Sequence, residues 1–177
     1  MTWVQRLIGW SLPLLLTLMP VSAAVAAADA DPLPRLFDRA LLLSRAGDPQ
    51  GALPIWDQVL EIAPRDAAAF SNRGNVRLML GDLEGAIADQ THSLELAPND
   101  ADPHLNRGTA EEALEHWSEA AADYDWILER DPSDASALSN LCNVRGSEGD
   151  WDEAERLYRL AADARPGSAM ARSSEAL

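Results

Sequence analysis

Three histidines, His92, His104 and His116, and a dense set of carboxylates, Glu111, Glu112, Glu115, Asp123 and Asp125, are the side chains from which metal or acid–base chemistry would be built. The histidines follow one another at intervals of 12 residues, whereas two ligands on one helical face need a spacing of three or four. They are expected to be scattered and partly exposed, with no zinc or iron site and no cofactor. The acidic loop with a central glycine and a terminal glutamate that calcium requires is missing, and helical carboxylates at this density form a solvated face. Neither a nucleophile elbow nor a glycine-rich phosphate loop occurs. Cys142 is the single cysteine; it has no partner for an intramolecular disulfide and is expected to serve as a small buried residue. With no motif that carries a catalytic mechanism, the chain is expected not to be an enzyme.

The elements that hold these residues declare themselves by period. Pro64, Pro98, Pro132 and Pro166 are each 34 residues apart, and the same offset joins Ala52, Ala86, Ala120 and Ala154. It also joins Asp66, Asp100 and Asp134 with Ser168, and Ala40, Gly74 and Gly108 with Cys142. Each column has a physical task. The Asp or Ser after each proline is a helix N-cap, accepting from an otherwise orphaned backbone N–H. A second cap falls mid-repeat at Asp48, Asp82 and Asp150, each preceded by a glycine suited to a left-handed helix end: Gly47, Gly81 and Gly149. The small residues let paired helices approach closely. First helices are expected over Leu33–Ala46, Ala67–Leu80, Ala101–Leu114 and Ala135–Glu148, with second helices filling each unit, eight helices in all. The third unit offers Glu115-His116 instead of Gly-Asp, so its helix junction is less well defined. Pro54 is expected to bend its helix near Gln50.

With its period and the alanine–aromatic steps Ala52 to Trp56, Ala120 to Tyr124 and Ala154 to Tyr158, the chain resembles tetratricopeptide repeats from about Leu33 to Pro166. Ala86 to Gln90 is the weak copy. The resemblance implies an all-α, right-handed superhelical solenoid of four units, 33–66, 67–100, 101–134 and 135–168, followed by a short terminal helix over 169–177. The pattern's leucine position holds Arg39, Arg73 and Arg107 before Leu141, and its tyrosine position holds Leu43, Arg77, Glu111 and Arg145. Those charged side chains are expected to lay their stems along the seam with their heads in water. The run from Leu105 to Leu114 followed by Trp117, Tyr124 and Trp126 further resembles repeat proteins of cyanobacteria and chloroplasts.

The family resemblance implies a concave groove lined by the first helix of each unit. Threaded onto this chain, the groove side chains are Phe37, Leu41 and Arg45, then Ser71, Asn75, Leu78 and Met79, then Leu105, Thr109 and Glu112, and finally Ser139 and Asn143. Asn72, Asn106 and Asn140 recur at its border, as fits a structural hydrogen bond as well as a ligand contact. Asparagine amides both donate to and accept from the backbone of an extended peptide. Family members that grip a chaperone's terminal carboxylate do so with lysines and arginines, a mode not expected here, because all 14 basic residues are arginine and few fall in the groove.

Charge and the amino terminus bound the rest. The 177-residue chain carries 29 acidic against 14 basic side chains, a net charge of −15, which disfavours binding a nucleic-acid backbone. Arg6 precedes an uncharged apolar stretch, Pro20, and small residues of the kind signal peptidase reads, so residues 1–28 are expected to be a secretory signal peptide and 29–32 a linker. The 22 uncharged residues between Arg6 and Asp29 also allow an uncleaved anchor. Both readings export the repeats, to a periplasm or a thylakoid lumen. The expected function is a non-catalytic scaffold or assembly factor that holds a segment or subunit of another protein in the groove. The alternatives are a self-associating structural repeat protein, a homodimer through its short last unit, and a membrane-anchored adaptor.

Overall fold

The computed structural model describes residues 32–164. The readings for residues 1–28, for most of the 29–32 linker and for a helix over 169–177 lie outside the described residues. So do Pro166 and Ser168 of the repeat columns. The described chain belongs to one compact unit and holds eight helices: α1 Pro32–Arg45, α2 Pro49–Ile62, α3 Ala67–Leu80, α4 Leu83–Leu96, α5 Ala101–Ala113, α6 Trp117–Leu128, α7 Ala135–Glu148 and α8 Trp151–Ala164. Among the described residues there is no strand, and no helix is long and apolar enough to cross a membrane.

Local chemistry sets the boundaries. Asp66 accepts from the Ala69 N–H at 2.9 Å and Asp134 from the Ala137 N–H at 2.8 Å, opening α3 and α7. Asp48 and Asp82 do the same for Gly51 and Gly85, opening α2 and α4. Each first helix then closes with a backbone bond spanning five residues, from the N–H of Asp48, Asp82, His116 and Asp150 to the carbonyls of Leu43, Arg77, Glu111 and Arg145. That closure needs a left-handed residue just before the donor. Gly47, Gly81 and Gly149 supply it with φ of 74°, 80° and 83°, and in the third unit Glu115 adopts φ 62° without being glycine. The unclear junction is therefore built like the others, but His116 opens α6 with no side-chain cap. Helix α2 runs on through Pro54.

Helices pack with their chain neighbours, and in addition α1 touches α3, α3 touches α5, and α5 touches α7. No such contact joins α2 with α4, α4 with α6, or α6 with α8. The first helices are thus the closer-spaced layer of a two-layer stack, which places them on the inner side of its curve. The apolar core falls into two clusters. One gathers Ala40, Trp56, Val59, Ala69 and Val76; the other gathers Ala120, Tyr124, Ile127, Leu138, Leu141 and Leu157. Between them lies α4, which buries Asp89, Gln90 and Ser93.

Candidate functional site

Two of the clefts open against the expected groove positions. The larger, about 320 Å³, lies between α3 and α5 and is lined by Ala68, Ser71, Asn72, Asn75, Asp100, Asp102 and Asn106. The second, about 290 Å³, lies on α7 and α8 and is lined by Ser139, Cys142, Asn143, Tyr158, Ala161 and Ala162. The structure thus brings Ser71 and Asn75 together with the bordering Asn72 and Asn106, and Ser139 together with Asn143. The carboxylates of Asp100 and Asp102 join the first cleft although the groove expected from the sequence did not include them.

Other groove positions have structural employment. Phe37 packs edge-on against Trp56 with ring centroids 5.0 Å apart, and Leu41 lies against the same apolar cluster. Leu105 packs against the other cluster and accepts the Thr109 hydroxyl through its carbonyl at 2.8 Å. Ser139 makes the same back-bond to Ala135 at 2.7 Å. Glu112 accepts the hydroxyl of the buried Tyr124 at 3.0 Å, and burial pushes that hydroxyl well above the ordinary phenol range. Arg45, Asn75, Met79 and Asn143 are exposed, while Leu78 is half-buried.

One position behind Ser71 differs from its counterpart in the next unit. Tyr124 fills its unit fully, and a Cβ on the facing Gly108 would meet the ring at 2.7 Å. In the preceding unit the same position is Gln90, whose amide nitrogen donates to the Ser71 carbonyl at 3.0 Å. Its Oε1 is buried and has no hydrogen-bond partner. Asn72 spends a donor on the Ala68 carbonyl at 2.7 Å.

Behind this face, the structure corrects the expectation that arginines in the repeat's leucine and tyrosine positions keep their heads in water. Arg73 makes a two-pronged pair with Asp89 at 2.8 and 2.7 Å and reaches Asp57 at 2.8 Å. Arg77 lies 3.0 Å from the same Asp89. Arg107 grips Asp123 in the same way at 2.9 and 2.8 Å and donates to Thr91 at 3.2 Å. Arg145 pairs with Glu148 at 2.7 Å, and the Glu111 carboxylate lies 2.7 Å from His116 Nδ1. Hydrogen bonds to Asp89 and Asp123 raise the Arg73 and Arg107 guanidinium pKa values further. The reason is cost: a half-buried cation is tolerated when a carboxylate satisfies its fork of donors. Arg39 has Ile55 where the other two have aspartate, and it alone of the three is exposed.

His104 also departs from expectation. Rather than partly exposed, it is buried, bonded through Nδ1 to Asp123 at 2.7 Å and stacked on Trp126 at 3.9 Å. The Arg130 guanidinium lies over the Trp126 ring, 3.6 Å from its centroid. Cys142 is half-buried rather than buried, its Sγ 3.2 Å from the Ala154 carbonyl. Among the described residues no three His, Cys, Asp or Glu side chains converge to hold a metal ion.

A family model described as tetratricopeptide repeat matches residues 37–101 and 105–172. No curated protein matches the chain at a significant level. Among solved structures, the fold is similar to the crystal structure of MamA, with a TM-score of 0.73 at 18% identity over 80% of this chain and 83% of that one. It is similar to the second repeat domain of human RPAP3 in complex with an HSP70 peptide, with a TM-score of 0.59 at 23% identity over 62% of this chain and 92% of that one. The first repeat domain of Spaghetti (RPAP3), bound to an HSP90 peptide, gives 0.64 at 21% identity over 68% and 96%.

Proposed function

Because this chain belongs to the tetratricopeptide-repeat family, we propose that it is a non-catalytic scaffold that holds a segment of another exported protein on its first-helix face. The observation that carries this reading is the open polar cleft between α3 and α5, whose exposed Asn75 and bordering Asn72 and Asn106 offer amides to an extended backbone. Two of the similar solved structures are complexes with peptides, which supports a peptide as the class of ligand. The signal-like first 28 residues support a site of action across a membrane, in a periplasm or thylakoid lumen. The test is a carboxy-terminally tagged full-length chain, fractionated and purified beside an Asn75→Arg variant that fills the cleft. A partner retained by the first and lost by the second supports the scaffold, and identical recovery by both refutes it.

A second reading, self-association, is favoured by the last unit. Tyr158 is 65% exposed where its counterpart Tyr124 is fully buried under the next unit, and Trp151 is 71% exposed nearby. Light scattering at micromolar concentration separates the readings: a dimer that Tyr158→Glu dissociates supports it, and a strict monomer removes it.

A further inference from the structure

The scaffold reading leaves the chemistry of the partner open, and the cleft between α3 and α5 constrains it. Its polar lining is Ser71, Asn72, Asn75, Asn106, Asp100 and Asp102, with no basic residue. The nearby cations are already committed: Arg73 and Arg77 pair with Asp89, and Arg107 with Asp123. Among the described residues no arginine or histidine forms an ion pair with Asp100 or Asp102, both of which are exposed.

The hydrogen-bonding balance points the same way. Asp100 and Asp102 only accept. Asn72 has used a donor on the Ala68 carbonyl, which leaves its oxygen free to accept. Both carboxylates sit at the amino end of α5, whose dipole is worth about half a positive charge. Two full negative charges outweigh it. A site rich in acceptors and negative charge suits a group that only donates and carries positive charge, and lysine and arginine are the side chains of that description.

We propose that this cleft takes a lysine or arginine side chain of an extended, basic segment of the partner protein, a specificity that rests on the scaffold reading. The opposite ligand, an acidic carboxyl-terminal peptide, would meet like charge here.

The experiment probes the full chain with an immobilised array of random dodecapeptides at low salt, beside two variants. Asn75→Arg fills the cleft. Asp100→Asn/Asp102→Asn removes both charges while keeping an asparagine at the α5 cap, a residue as good there as aspartate. The expected result is a set of best binders enriched in lysine and arginine, lost on Asn75→Arg, and weakened about tenfold by the double neutralisation, as two partly exposed ion pairs imply. Best binders that are acidic or uncharged yet still lost on Asn75→Arg overturn the basic-partner proposal and leave the scaffold reading standing. Basic binders indifferent to the double neutralisation overturn it as well, since they would be reporting the net charge of −15 alone. An array on which Asn75→Arg changes nothing overturns both.

Discussion

Replacing Asp89 by leucine removes the carboxylate that holds both Arg73 and Arg77 and is itself only 2% exposed, leaving Arg73 with the half-exposed Asp57 alone. Breaking a buried pair by removing one partner costs about 3 kcal/mol or more, since the remaining charge is left uncompensated. For a chain of this length that lowers the melting temperature by about 6–12 °C. Arg73→Leu alone should cost about 1–3 kcal/mol, because Asp89 loses its two-pronged partner and keeps only Arg77 at 3.0 Å. The repeat itself supplies the rescue. Sixty-eight residues further on, the equivalents of Arg73 and Asp89 are Leu141 and Leu157, buried to 3% and 2% exposure in the apolar cluster. The double variant Arg73→Leu/Asp89→Leu installs that apolar pair, leaving Asp57 half in water and Arg77 near Asp82 and the Gly85 carbonyl. It should fall within about 1 kcal/mol of the natural chain, as replacement of buried ion pairs by packed hydrophobes often does. The assay is urea unfolding followed by far-ultraviolet circular dichroism and tryptophan fluorescence, with coincident curves as the condition for a free energy. Single variants within about 1 kcal/mol of the natural chain, or a double variant as unstable as the two singles summed, would refute the reasoning.

The third unit's junction should respond to repair: Glu115→Gly relieves a left-handed residue and His116→Asp adds the missing cap, each raising stability by about 1 kcal/mol in the same unfolding assay. Loss of the Glu111 contact to His116 at 2.7 Å sets the limit on the second gain. Gly108→Ala forces a Cβ to 2.7 Å from the Tyr124 ring and should destabilise by about 1–3 kcal/mol. Gly146→Ala meets only Trp151 at 3.5 Å and should stabilise by about 0.5–1 kcal/mol through helix propensity. Trp56→Ala removes the fully buried ring against which Phe37 packs and should cost about 3–5 kcal/mol, read as a fall in melting temperature.

The helices were legible because most boundaries rest on local rules repeated each 34 residues: aspartate caps, left-handed glycines, terminating prolines. The same rules made α3 and α7 readable to their end residues. The buried ion pairs were harder to see, since each joins two columns 16 residues apart, Arg73 with Asp89 and Arg107 with Asp123, and neither column alone signals burial. Ile55 in place of a third aspartate hid the pattern further. His104 is buried only because Asp123 and Trp126 come from another helix to receive it. Glu115 adopts the conformation of its glycine counterparts because the helix-closing bond from His116 to Glu111 is shared by all four units, and backbone geometry prevailed over residue preference.

The measurement that tests the scaffold account most directly is site-specific photo-crosslinking in cells, with a photoreactive amino acid placed in turn at Asn75 and Asn143 on the first-helix layer and at Gln58 and Ala88 on the second. All four positions are exposed. The account predicts a discrete crosslinked protein from Asn75 or Asn143 and none from Gln58 or Ala88. Crosslinks that arise only from the second-helix positions, or equally from all four, would contradict it.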